Sequence, residues 1–190
     1  MTAQDSQETV TAGHVIGGSF GMAFVIANTP SLPQMLRTIL IVAAVATMVL
    51  TVVCFGRGIS NGTVVRPENG NESFGRRYWG VVLIEAVALF GGLALLNRWE
   101  PSANVAWIAL VVGIHFFALA KLWVSGSQEI ALIAFAMTAL GVIGLAIAFS
   151  SDSRDAVAVV AGVGSGAVLL SSSLAGSIRS LPPRSAVRQG

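Results

Sequence analysis

The sequence predicts an all-α membrane protein, a bundle of six transmembrane helices with both termini in the cytoplasm. Of its 190 residues, 54% are apolar and only 11% are charged, and the mean hydropathy is +0.78. A soluble domain averages about 25% charged residues. The apolar residues also form six long runs, without the polar face that a helix in contact with water shows at each turn. The solvent around most of the chain is therefore expected to be lipid.

Each of the six runs meets the requirement of about 20 apolar residues for a helix that crosses a bilayer. The segments between them contain Pro, Gly, Asn and Ser, which are typical of helix ends and turns. Together the spans predict a single helix-bundle domain over residues 1–180, with a cytoplasmic loop at 56–78 and a basic cytoplasmic tail at 181–190. We place the spans at residues 9–28, 36–55, 79–97, 103–123, 129–150 and 155–178.

The first span is the least apolar of the six, because it contains four glycines and His14. A cleaved secretory signal would begin with basic residues. Residues 1–10 instead contain Asp5 and Glu8 and neither Lys nor Arg. We therefore expect a helix that is retained. If this helix lay at the membrane surface, five spans would remain and the two termini would lie on opposite sides of the membrane.

The Lys and Arg residues near the helix ends predict the orientation, because positive residues are retained on the cytoplasmic side. With six spans and a cytoplasmic amino terminus, eight of these residues fall on the cytoplasmic side and three on the outside, which predicts that both termini are cytoplasmic. The cytoplasmic group is Arg57, Arg66, Arg76, Arg77, Lys121, Arg179, Arg184 and Arg188, and the external group is Arg37, Arg98 and Arg154.

The third and fourth spans carry the most informative polar residues, Glu85 and His115. The turn between these spans is short, so the two helices are expected to be antiparallel neighbours. Glu85 lies six residues after Trp79 and His115 lies eight before Trp123, so at about 1.5 Å per residue both lie about 9 to 12 Å inside the cytoplasmic edge.

A lone charge at that depth is costly, whereas a carboxylate and an imidazole that meet can form a hydrogen bond or share a proton. We expect Glu85 and His115 to meet. Two interpretations stay open for the pair: a structural hydrogen bond between helices, or a site that binds protons or substrate.

His14 is the third candidate, because it lies about five residues into the first span and near the same membrane face. It could complete a cluster with Glu85 and His115, and two imidazoles with one carboxylate are a plausible set of metal ligands. Two histidines could also ligate haem iron, although both lie in the same half of the bilayer. The simpler interpretation places His14 at the level of the lipid headgroups. We predict no metal and no cofactor.

Glycines predict where the helices approach each other closely. Gly13, Gly17 and Gly21 recur every four residues in the first span, and Gly162 and Gly166 do so in the sixth. Such ridges without side chains allow close contact between backbones, either within one chain or between two copies. The expected partner is the lipid bilayer. The first interpretation, packing within one chain, is favoured, and a homo-oligomer is the alternative that the glycines leave open. No helix shows a clear break near its middle, which argues against an inverted-repeat transporter.

Other chemistry is not indicated by the sequence. The lone Cys54 cannot form an internal disulfide and is expected to fill space at a helix end. No catalytic motif is present, and no segment outside the spans is long enough for a catalytic domain. We therefore name no catalytic residue and do not expect an enzyme. The basic residues lack interleaved aromatic residues, so nucleic-acid binding is not expected either.

One resemblance covers the third and fourth spans. The run Val112-Gly113-Ile114-His115-Phe116-Phe117-Ala118-Leu119-Ala120, which follows Glu85, resembles a Gly-x-His-Phe-x-Pro-Leu-Ala pattern of small uncharacterised bacterial multi-pass membrane proteins, with Ala118 where proline is common. The resemblance implies a bacterial inner membrane protein in which His115 belongs to a shared feature. It implies no activity.

Two hypotheses follow. In the first, the bundle is a small proton-linked transporter or channel-like protein, and Glu85 and His115, with or without His14, form a protonatable site reached from the cytoplasm. In the second, it is a non-catalytic membrane scaffold or accessory subunit whose polar residues only fix helix packing. A membrane enzyme is a distant third.

Overall fold

The structure is a computed structural model that describes residues 3–60, 76–122, 128–151 and 153–181. The secondary structure in these ranges is helical. Within those ranges there is no strand. The described residues form seven α-helices, a 3-10 turn (Pro101–Ala103) and a π-helical segment (Ala158–Val163). The α-helices are α1 (Ala3–Asn28), α2 (Gln34–Ser60), α3 (Arg76–Trp99), α4 (Asn104–Leu122), α5 (Gln128–Ser150), α6 (Arg154–Val157) and α7 (Gly164–Arg179).

Among the described residues, five helical rods are long and apolar enough to cross a membrane. They are Gln34–Ser60, Trp79–Trp99, Pro101–Lys121, Gln128–Ser150 and the continuous rod Arg154–Arg179, which joins α6, the π-helical segment and α7. The apolar part of α1, Gly13–Asn28, is shorter. Large apolar side chains cover the outside of the bundle, among them Ile84 of α3, which is 71% exposed. Such a continuous apolar surface is matched to lipid and not to water.

The predicted spans lie within these helices or end close to them. Helices α1, α2 and α3 run a few residues beyond the predicted spans, and the added residues include Arg57 in α2 and Arg98 in α3. Most of the predicted loop 56–78, and all of the predicted tail 181–190 except Leu181, lie outside the described residues.

The bundle consists of two groups of helices and one peripheral helix. In the first group α1, α2 and α7 pack against one another, and in the second α4 and α5 pack together against the π-helical segment. The core of the second group is built from small residues that are almost fully buried: Ala103, Ala106, Ala109, Ala148, Val157 and Ala161. Helix α3 packs against α4 and the 3-10 turn, and no other described element makes more than marginal contact with it.

Glycines set the closest approaches in both groups. A methyl group added at Gly21 of α1 would lie 2.9 Å from the carbonyl oxygen of Gly166 in α7. One added at Gly113 of α4 would lie 2.6 Å from the backbone nitrogen of Thr138 in α5. Both distances are too short for real carbon atoms, so the helix pairs can approach this closely only because the side chains are absent.

The rod Arg154–Arg179 is continuous, but its hydrogen bonding is not regular along its length. Ser153 caps its start, since the Ser153 hydroxyl accepts a hydrogen bond from the backbone N–H of Ala156 at 3.3 Å. From Ala158 to Val163 the rod is π-helical, and the Gly164 N–H donates to the Val159 carbonyl five residues earlier. The extra residue in this turn changes the rotation of α7 relative to α6.

Candidate functional site

Glu85 and His115 face each other across the interface between α3 and α4. His115 Nδ1 lies 2.7 Å from Glu85 Oε2, and the two side chains are 16% and 22% exposed, respectively. The short 3-10 turn holds α3 and α4 as an antiparallel hairpin, which brings the two positions level. The pair is therefore enclosed on most sides but not sealed.

The contact is close in distance but imperfect in direction. Within the described residues, Nδ1 of His115 has no hydrogen bond of standard geometry, although Oε2 of Glu85 is near enough for one. The terminal torsion of a glutamate is soft, so a small rotation of the carboxylate would align the two groups. At 2.7 Å only one proton fits between these two atoms.

The ring of His115 is also oriented by its neighbour in α4. Phe116 lies edge-to-face with His115, with ring centroids 6.2 Å apart and an interplanar angle of 68°. This contact supports the imidazole from the side.

Two further polar contacts follow the same interface toward the other end of the hairpin. The Trp107 indole N–H donates to the carbonyl oxygen of Ala88 at 3.2 Å, and the Asn104 side-chain amide donates to Asn97 Oδ1 at 2.6 Å. Together with Glu85 and His115, these contacts attach α3 to α4 along its length.

The third predicted site residue, His14, lies in a different interface. Any side chain at Gly176 of α7 would overlap the imidazole of His14, so the ring lies directly over this glycine between α1 and α7. One helical turn later, Arg179 contacts Glu129 at the start of α5, and both of these side chains are mostly exposed.

The structure therefore brings two of the three candidate residues together and places the third elsewhere. In the part of the chain that the structure describes, no group of three or more His, Cys, Asp and Glu side chains could hold a metal ion. His14, Glu85 and His115 do not form such a cluster, because α1 packs on α7 and α2 while the pair lies between α3 and α4.

The five glycines named for helix packing lie in different surroundings. Gly17 faces the Ser173 hydroxyl, Gly21 and Gly166 face each other, and Gly162 lies against the side chain of Asn28. A methyl group at Gly13 would meet nothing within 4 Å. Four of the five therefore lie in close contacts within this one chain.

Sequence reasoning did not identify a surface cavity at the opposite end of the bundle from Arg179. It has a volume of about 290 Å³, and its polar lining includes Asn28, Ser31, Ser102, Arg154 and Asp155. These residues come from three parts of the chain that are distant in sequence, so no local motif could have joined them. The missed contact between Glu129 and Arg179 likewise joins the ends of helices that are distant in sequence.

Comparisons of the chain with protein-family models, with curated proteins and with solved structures found no match.

Proposed function

We propose that the protein is a small proton-linked transporter or channel-like protein in which Glu85 and His115 form the protonatable site. The proposal includes six membrane spans, with α1 as the first, and both termini in the cytoplasm. It also includes a place in a bacterial inner membrane, in keeping with the resemblance of the third and fourth spans to small bacterial multi-pass membrane proteins.

The observation that carries the proposal is the 2.7 Å contact between His115 Nδ1 and Glu85 Oε2, within two helices that are long and apolar enough to cross a membrane. Ionisable side chains within a span are costly, and they usually mark pathways for ions or protons. A carboxylate paired with an imidazole can pass one proton between its members without leaving a charge alone in hydrocarbon. The partial exposure of both side chains provides access for the proton.

The position of α3 supports a coupled movement. Because α3 packs on α4 and the connecting 3-10 turn, with at most marginal contact to other described elements, a change in the charge of the pair acts on the main attachment of this helix. When the proton leaves or enters, the attraction between Glu85 and His115 changes and the fit of α3 against α4 changes with it. This provides a two-state element driven by protonation.

The experiment is proton flux into liposomes that contain the purified protein, followed with an internal pH dye. We expect flux in the parent protein, and its loss in Glu85→Gln and in His115→Ala. Glu129→Gln is the matched control, because Glu129 lies at the end of a span in an exposed ion pair, and its flux should equal that of the parent. Absence of flux from the parent protein, or unchanged flux in Glu85→Gln, would contradict the proposal.

A second candidate function is a non-catalytic scaffold or accessory subunit. It is favoured by the contacts Trp107 to Ala88 and Asn104 to Asn97, since these lie in the same interface and have no evident role beyond attachment of α3. In that case Glu85 and His115 serve only as a third attachment. Parent protein that folds and carries no flux would favour this candidate.

A further inference from the structure

The position of the Glu85 and His115 pair relative to the packed core indicates from which side a ligand can reach it. Gly113 of α4 lies against Thr138 of α5, and His115 follows Gly113 by two residues. Two residues correspond to about 200° of rotation around an α-helix, so His115 lies on the opposite side of α4 from α5. The pair therefore faces away from the centre of the bundle.

The centre of the bundle, between the described helices, is packed too tightly for a ligand to reach the Glu85 and His115 pair from there. Ala106 and Ala109 of α4, Ala134 and Met137 of α5 and Ala161 of the π-helical segment are all fully buried. A methyl group at Gly141 of α5 would lie 2.6 Å from the backbone of Leu110. Such contact between backbones excludes a solute of more than a few atoms.

The outward side of the pair is bordered by apolar side chains that face the surroundings of the bundle. On α3, Ile84 and Val87 flank Glu85 and are 71% and 66% exposed, and on α4 Ile114 and Phe117 flank His115 and are also exposed. In a membrane these side chains meet acyl chains. The remaining exposure of the pair is thus bordered by a surface that lipid covers.

The chemistry of the pair selects the charge of a ligand. Among the acidic residues of the five candidate spans, Glu85 alone lies more than one turn from a span end. When it is ionised, the Glu85 carboxylate supplies a negative charge, which a cation neutralises and an anion opposes. Phe116 and Phe117 add aromatic surface next to the pair, which favours cations with a large apolar body.

We propose that the Glu85 and His115 pair binds amphiphilic organic cations that reach it from the lipid side, between α3 and α4. This inference rests on the proposed function and names its substrate class. The cationic centre of the ligand lies at the Glu85 carboxylate, and its apolar body lies against the exposed side chains of α3 and α4. Entry requires only that α3 move away from α4, which is the one helix it packs against extensively.

The test is equilibrium binding of tetraphenylphosphonium to the protein in lipid nanodiscs, with empty nanodiscs subtracted. Tetraphenylborate is the matched ligand control, because it has the same shape and the opposite charge. We expect saturable binding of the cation but not of the anion. In Glu85→Gln the affinity should fall by about tenfold or more, equivalent to about 1.4 kcal/mol. In Glu129→Gln it should not change.

A second measurement avoids the need for a folded Glu85→Gln variant. A lipid-soluble carbodiimide modifies protonated carboxyl groups within membranes, and mass spectrometry locates the modified residue. In the parent protein, tetraphenylphosphonium should protect Glu85 from this modification and tetraphenylborate should not.

Lack of saturable cation binding, equal binding of both ions, or unprotected Glu85 would overturn the inference. If proton flux is present in such a case, the proposed function stands without this substrate class. Cation binding that depends on Glu85, in a protein without flux, would support the binding site and contradict the proton-linked function.

Discussion

Trp107 of α4 reaches across to α3 and donates a hydrogen bond from its indole N–H to the carbonyl oxygen of Ala88 at 3.2 Å. Gly92, one turn further along α3, allows this, because any side chain there would overlap the indole ring. The contact lies between the Glu85–His115 pair and the short turn that joins the helices. It shows that α3 is attached to α4 by polar contacts as well as by apolar packing.

Replacing Trp107 with Phe is therefore expected to loosen α3. The variant keeps an aromatic ring but loses the hydrogen bond to Ala88, which should lower the free energy of unfolding in detergent by about 1 kcal/mol. Thermal or denaturant unfolding of the purified protein measures this. An unchanged unfolding midpoint would show that the hydrogen bond contributes nothing to the attachment of α3.

Glu85 and His115 should be energetically coupled. We expect this from a double-mutant cycle of Glu85→Gln and His115→Ala. The decrease in the free energy of unfolding in the double variant should be about 1 kcal/mol smaller than the sum of the decreases in the two single variants. The physical reason is that the second substitution has no contact left to break. Strict additivity in unfolding experiments would mean that the two side chains do not interact in the folded protein.

The contact between Gly21 and Gly166 predicts a strong effect of side-chain size. Gly21→Leu should destabilise the protein by about 1–3 kcal/mol or prevent folding, because the new side chain meets the backbone of α7. Gly80→Leu in α3 is the matched control, since Gly80 has nothing within 4 Å, and it should fold as the parent does. Size-exclusion profiles and unfolding curves distinguish the two, and equal behaviour would contradict the α1–α7 packing.

Composition and hydropathy were sufficient to predict an all-α membrane protein, because lipid requires long apolar helices whatever their arrangement. The contact between Glu85 and His115 was also predictable, since the short turn between the third and fourth spans fixes how their residues align. His14 was different. The position of His14 along the chain indicates its depth in the membrane. Its neighbours, however, depend on which helices α1 packs against, so the contact with Gly176 of α7 could not be predicted without the fold.

The π-helical segment Ala158–Val163 could not be predicted for a related reason. Its residues are small and apolar and contain no proline, so nothing local marks the change in hydrogen bonding. The contacts around it, such as Asn28 over Gly162, join residues that are distant in sequence.

The number of spans predicts where the two termini lie. With α1 as a membrane-crossing helix, reporters fused to the amino and carboxyl termini should both be active in the cytoplasm. The reason is that the basic residues between the second and third spans and between the fourth and fifth spans are retained on the cytoplasmic side. If α1 lies along the membrane surface, the two reporters should indicate opposite sides. That outcome would reduce the bundle to the five spans whose length and composition suffice by themselves.

The central claim is that Glu85 exchanges a proton inside the membrane under the influence of His115. Infrared difference spectra of the protein in lipid, recorded between acid and alkaline buffer, measure this directly through the carboxyl C=O stretch. We expect a band for a protonated carboxyl group in a water-poor environment that is present in the parent, absent from Glu85→Gln and altered in its pH dependence in His115→Ala. The same band in the parent and in Glu85→Gln would contradict the account.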